Sequence, residues 1–261
     1  MKKFGIAFAL PLVLTINTPA KAQDAGVHGT IVAGAAVVPE YEGAGKQKVV
    51  PLVIGRLADG NRYLSFEGPT VRANVVDSKW IEFGPLLSVT PRRGSGIKTP
   101  AVARLGAIKD AVEVGAFAAI SHSVSNTDRI RFAIQGAQDI SGVHKGWLGS
   151  ANASYVAEIS PKLSFSSELS VTYASSDYAG KYFTVTPVGA TSSGLPVFKA
   201  KAGIKDVSTS FNVFYNFDKK WSLFGIAAYK KLVGSVAASP IVKIAGKSDQ
   251  FVGGIGVGYS F

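Results

Sequence analysis

The chain has no cysteine, a single methionine at its start and only three histidines, His28, His122 and His144. Without thiols there can be no disulfide, no thiolate metal site and no cysteine nucleophile. Long apolar runs are missing too. The longest, Phe4 to Ile16, has thirteen residues, short of the ~20 a helix needs to cross a bilayer, which excludes a helical membrane protein. Acidic residues are scarce: 17 Asp and Glu stand against 28 Lys and Arg, a formal charge of +11. Glycines gather as Gly253-Gly254-x-Gly256, but no strand-to-helix passage surrounds them, so a phosphate loop is excluded. Glu40, Glu42, Asp177 and Asp249 lack His or Cys support and define no metal geometry. No metal or cofactor is implied.

What is present begins with an export signal. Lys2 and Lys3 precede the short apolar run, and Ala20-Lys21-Ala22 follows it as an Ala-x-Ala site, with cleavage expected between Ala22 and Gln23. Residues 1–22 therefore read as a cleaved signal peptide and 23–261 as one domain. An exported chain rarely meets nucleic acid, so none is expected as a partner. The basic balance points instead to lipopolysaccharide, peptidoglycan carboxylates or anionic solutes, or simply to dispersed loop charge.

The other end of the chain is a strand with two unlike faces. From Phe251 to Phe261 the odd positions carry Phe, Gly, Ile, Val, Tyr and Phe, and the even positions Val, Gly, Gly, Gly and Ser. Period-two alternation marks a strand. A free edge ending on an aromatic invites aggregation, whereas a closed transmembrane barrel pairs its last strand with its first and sets aromatics at the interface. Gly256, Tyr259 and Phe261 resemble the terminal signal by which bacterial outer-membrane proteins meet the barrel-assembly machinery.

Alternation recurs along the chain. Leu163 to Tyr173 is its clearest case, and Asp128 to Ala137, Trp147 to Ile159 and Thr209 to Phe217 repeat it. The pattern alone fits a soluble sandwich and a barrel equally; the leader and the terminal strand favour the barrel. Its apolar face then meets lipid, and Arg129, Arg131, Glu158 and Glu168 face the lumen. Short breaks at 58–61, 77–79, 122–127, 160–162 and 217–220 alternate with long ones at 39–46, 91–109, 138–145, 177–205 and 234–249. Short turns on one side and long loops on the other are the outer-membrane pattern. Eleven segments read clearly, and splitting 62–76 at Gly68-Pro69 gives twelve, since proline lacks a ladder donor. The expected fold is an all-β transmembrane antiparallel barrel of about twelve strands, with ten as the alternative.

The second half carries a resemblance: Tyr182-Phe-Thr-Val-Thr186, Ala190-Thr-Ser-Ser-Gly-Leu195, Ala202-Gly-Ile-Lys-Asp206, Tyr215-Asn-Phe-Asp-Lys-Lys-Trp221, Tyr229-Lys-Lys-Leu232 and Ser239-Pro-Ile-Val242. Earlier come Pro39-Glu40-Tyr41-Glu42-Gly43-Ala44 and Gly106 to Phe117. In order and spacing these resemble the MipA/OmpV family of outer-membrane proteins over essentially the whole mature chain. Thr184 stands where the family pattern has Gly, and the loop after Asp177 lacks the usual Asn. The resemblance implies a Gram-negative outer membrane, a lipid and lipopolysaccharide setting, and a scaffold joining a murein transglycosylase to a murein synthase. It brings no catalytic residues. The loop motifs Pro39, Glu40, Tyr41, Gly43, Ser239 and Pro240 read first as loop geometry.

An enzyme is not expected. His122 falls in a predicted periplasmic turn and His144 in a loop on the opposite side, near Asp139 and Ser141, so no single site uses both. The expected function is the scaffold, with a small-solute pore, for which twelve strands lie between filled and conducting barrels, or a surface adhesin or immunogenic protein as the alternatives. For the pore, the 177–205 loop is the expected plug.

Overall fold

A computed structural model of the chain describes residues 26–94 and 97–261. The expected leader and the Ala22–Gln23 cleavage site lie outside the described residues.

The described residues form a closed antiparallel barrel of twelve strands. The first six are β1 (His28–Pro39), β2 (Gln47–Asp59), β3 (Arg62–Glu67), β4 (Thr70–Asn74), β5 (Ile81–Thr90) and β6 (Ala111–Ser123). The rest are β7 (Arg129–Asp139), β8 (Trp147–Ser160), β9 (Leu163–Ala174), β10 (Gly203–Asn216), β11 (Trp221–Leu232) and β12 (Asp249–Ser260). Each pairs with the next in sequence, and β12 returns to β1 in the register Thr30–Ser260 to Val37–Gly253. The seam is tight: a Cβ on Gly34 would stand 2.0 Å from the Ile255 carbonyl oxygen, so its partner strand needs a bare backbone there.

Burial decides between sandwich and barrel. In β12 the large residues Phe251, Ile255 and Val257 are exposed while Val252, Gly256 and Gly258 point inward. The same inversion places Val49 at 71% exposure and Ile54, on the opposite face of β2, at 0%. An apolar exterior is right for lipid and wrong for water. Aromatic pairs mark both ends of the wall: Trp147 on Tyr173 (5.1 Å) and Tyr229 by Phe251 (5.0 Å) at the loop end, and Trp221 by Tyr259 (4.9 Å) at the other.

The turns at the N-terminal end are short, and the loop end holds five short helices that the strand-by-strand reading of the sequence does not foresee. They are α1 (Pro100–Ala103), α2 (Ser176–Phe183), α3 (Pro187–Ser193), α4 (Gly234–Ala238) and α5 (Pro240–Lys243). At four to eight residues none would hold alone. Proline starts α1, α3 and α5. Ser175 Oγ accepts from Tyr178 N–H at 3.4 Å, and Thr186 Oγ1 from Gly189 N–H at 3.1 Å. Their apolar sides pack together: Tyr178, Ala179 and Phe183 of α2 meet Val236 and Val242 of the last loop. His122, expected in a turn, is instead near the end of β6, which runs on to Ser123, and its ring lies 6.4 Å from Trp80.

One connection on the loop side is a tight turn, Gly68-Pro69, so the β3–β4 hairpin is short. β2 pairs with β3 only from Ile54 to Asp59, which leaves Gln47–Val53 without a strand on that side, roughly 20 Å of edge at ~3.3 Å per residue. The Val53 carbonyl accepts the last bond, from Gly68 N–H at 3.3 Å. With period two, Pro51 turns its peptide edge the same way, toward the gap, where no ladder donor is required.

Candidate functional site: the lumen and its loop-side cap

The lumen has two unlike walls. Inward residues of β1, β2, β10, β11 and β12 form an apolar cluster that includes Val32, Leu52, Ile54, Phe214, Phe224 and Ile226. The Phe214 and Phe224 rings pack at 4.7 Å, tilted by 46°. Across from them, β3 to β9 present charge. Arg72 Nη1 donates to Glu67 Oε2 at 2.7 Å and Nη2 to Gln135 Oε1 at 2.9 Å. Arg131 holds Glu82 with two bonds, of 2.9 and 3.1 Å, and Tyr63 Oη donates to the same carboxylate at 2.6 Å. The Arg56 guanidinium lies 3.7 Å over the Tyr63 ring. Rungs of Ser, Asn and Thr from β8, β9 and β10 complete this wall.

At the loop end a buried cluster of four charges closes the lumen. Lys205 Nζ donates to Asp206 Oδ2 at 2.6 Å and to Glu42 Oε1. Lys230 Nζ lies at ion-pair distance, 3.3 Å from Asp206 and 3.5 Å from Glu42, without hydrogen-bond geometry. Two neighbours in sequence can both point inward only because the β9–β10 register slips between Ile204 and Asp206, a bulge that inserts Lys205. Tyr178 Oη of α2 donates to Glu42 Oε2 at 3.0 Å, tying the cap to the cluster. Burial, and then the Glu42 carboxylate, push the Tyr178 phenol well above its ordinary range, so it stays a neutral donor.

The loop motifs sit in this cap. Glu40 is buried, and its Oε2 accepts from Lys98 N–H at 3.1 Å. Gly43 has φ 91°, a conformation that favours glycine, and its N–H donates to Gln250 Oε1 at 3.2 Å. Ser239, fully buried, donates to the Phe183 carbonyl at 2.6 Å, and Pro240 starts α5. Tyr41 is buried and Pro39 ends β1. Of the residues read from the sequence as lumenal, Arg131 and Glu168 are buried inside, Glu158 is half-buried near the far mouth, and Arg129 is exposed where β7 begins. Tyr259 packs on Trp221 outside the wall, with Phe261 beyond it and Gly256 turned inward.

His144 is no lone rim histidine. It is buried, and its Nε2 donates to Glu113 Oε1 at 3.0 Å while Nδ1 accepts from Gly146 N–H at 3.0 Å. With both ring nitrogens engaged, neither is offered to a nucleophile. Asp139 meanwhile accepts the backbone N–H groups of Ser141, His144 and Lys145 and staples that loop. Among the described residues no group of three or more acidic or His side chains is arranged to hold a metal. Glu42 serves the lumen cluster, and Asp249 bonds Lys231 and Tyr229 on the outer face.

A cavity runs below the cap, between Pro69, Thr90, Glu113, Gln135, Thr172 and Lys205. A second lies against the wall gap between Lys48 and Arg93. Both reach Glu42, Thr90 and Tyr178.

In fold the chain is similar to an outer-membrane channel from Pseudomonas putida F1, with TM-score 0.50 and 10% identity, covering 94% of this chain and 99% of that one. It is also similar to the outer-membrane channel DcaP of Acinetobacter baumannii, with TM-score 0.43 and 9% identity over 90% of this chain and 96% of that one. The first likeness shows the outer-membrane barrel fold and nothing of a solute. No curated protein matches the chain. The family described as MltA-interacting protein MipA matches residues 31–261, the whole barrel but for its first few residues, and the chain belongs to that family.

Proposed function

We propose that the protein is a non-enzymatic barrel of a Gram-negative outer membrane that handles small polar solutes in its lumen. The polar wall carries this reading. Ser150 Oγ, Asn152 Oδ1, Ser154 Oγ, Ser210 Oγ and Asn212 Oδ1 are buried in it and take no hydrogen bond from the described residues. Left dry, each such group costs about 1–3 kcal/mol. A wall built this way suits water and polar solutes. The cap formed by α2 and its neighbours makes the resting barrel a plugged one.

Conductance in planar bilayers tests the reading, with the refolded chain beside a copy in which residues 176–198 are replaced by a short glycine linker. Low or no current from the intact chain and steady steps from the shortened one are expected. Silence from both would sink the solute reading.

A second reading is the scaffold between a murein transglycosylase and a murein synthase; the family's description, MltA-interacting protein, supports only that members meet one protein partner. Its difficulty is area, because the connections opposite the loops span only residues 60–61, 75–80, 124–128, 161–162 and 217–220. Stoichiometric capture of a purified murein transglycosylase by the refolded barrel would move this reading to first place.

A further inference from the structure

The cavity behind the wall gap holds a buried guanidinium with no acid to answer it. Arg93 is 6% exposed, and its Nη1 donates to the Tyr182 carbonyl at 3.0 Å, an uncharged partner. Its Nε–H donates to no described acceptor, and Arg93 forms no ion pair with any described carboxylate. The Tyr182 hydroxyl, also buried and also lining the cavity, is likewise without a partner among the described residues. Lys48 lines the opposite side, and the rings of Tyr41 and Tyr178 form apolar walls. Two acids border the same space, and both are engaged: Glu40 by Lys98 N–H, Glu42 by Lys205 and Tyr178. Nearby Arg92 is paired with Asp110 at 3.3 Å. Buried charges are ordinarily paired, and for Arg93 the described residues supply no counter-ion.

We propose that this cavity is a binding site for a small free organic carboxylate with an aromatic or apolar body. The carboxylate lies on Arg93, within reach of Tyr182 Oη, and the body lies among the tyrosine rings. A guanidinium fork matches a carboxylate with parallel N–H···O bonds. The site gives the solute reading above a substrate class, and it rests on that reading only for what happens after binding. The gap above the β3–β4 hairpin is its way in.

The test is calorimetric titration of the refolded chain in detergent with benzoate and, as a neutral match, benzyl alcohol. Benzoate is expected to bind at least about tenfold more tightly than benzyl alcohol, the margin of a charge-assisted pair. Arg93→Gln should bring benzoate down to the level of the alcohol, and Tyr182→Phe should weaken it by a smaller factor. Equal affinity of the two probes for the unaltered chain overturns the proposal without recourse to a variant, as does the absence of benzoate binding. So does an unchanged benzoate affinity in an Arg93→Gln protein that keeps its β circular dichroism and heat-modifiable migration. A response to dodecanoate alone would assign the anion to a lipid of the leaflet and overturn the free-solute assignment. The readout is binding, so a silent bilayer recording and a failed titration are separate results.

Discussion

The two walls of the lumen solve one problem in opposite ways. Along β1, β2 and β10–β12 the interior is filled by packing, with Phe224 and Ile54 fully buried against Phe214 and Leu52. Along β3–β9 it is filled by ion pairs and hydroxyls, with Arg72 on Glu67 and Arg131 on Glu82. Apolar packing gains from burial with no desolvation cost. A charged wall must recover the cost of desolvation through geometry. The packed strands are those that meet at the seam, and the charged ones lie in the middle of the chain. The four-charge cluster at the loop end is where the two walls touch: its charges come from β10, β11 and the β1–β2 connection of the packed half, and Thr172 of β9 hydrogen-bonds Asp206 from the other.

That contrast can be broken at its junction first. Lys205→Met leaves Glu42 and Asp206 buried with Lys230 alone, and about 3–5 kcal/mol of stability should be lost, as for other buried pairs cut on one side. Equilibrium urea unfolding of the refolded barrel measures it. The double variant Lys205→Met with Asp206→Leu removes one charge of each sign and should recover most of that loss; no recovery would mean that packing, not charge, governs the site. In the packed wall, Phe224→Ala should cost about 3–5 kcal/mol by leaving a cavity, with no effect on salt dependence. A loss near zero would mean that the apolar cluster is loosely filled.

The smallest effect lies outside both walls. The Trp221 and Lys220 N–H groups hold the Asp218 carboxyl below its ordinary range in the far turn. A carboxyl depressed on folding stabilises above its unfolded value of about 3.9, and the contribution disappears as pH falls through the lower folded value. Asp218→Asn should therefore slightly lower the unfolding midpoint at pH 7 and flatten its fall in acid. An acid profile identical to that of the unaltered chain would show that the turn is held by its backbone alone.

The twelve strands were legible because the wall is lipid-facing on one side. Phe165, Leu169 and Tyr173 alternate with Ser164, Glu168 and Thr172, and the split at Gly68-Pro69 follows from proline's missing donor. The packed half of the lumen was not legible. In β11, Leu223 and Ala227 face out while Phe224, Ile226 and Ala228 face in, so both faces are apolar and alternation vanishes. The Lys205-Asp206 pair was hidden for another reason: two adjacent inward residues need a bulge, which only the neighbouring strand's register reveals. His144 looked isolated because its partner Glu113 sits across the β6–β7 hairpin, 31 residues away. The helices of the cap are too short to show a period and owe their form to proline starts, hydroxyl caps and mutual packing. Arg93 gave no signal, since only its surroundings set it apart.

The short β3–β4 hairpin also decides which joint of the cylinder has the fewest paired residues. The joint between β4 and β5 carries three register pairs, Thr70–Ser88 to Arg72–Leu86, against eight where the two ends of the chain meet. The thinnest joint of the staves is thus internal to the chain, next to the gap, and not at the seam where its two ends meet.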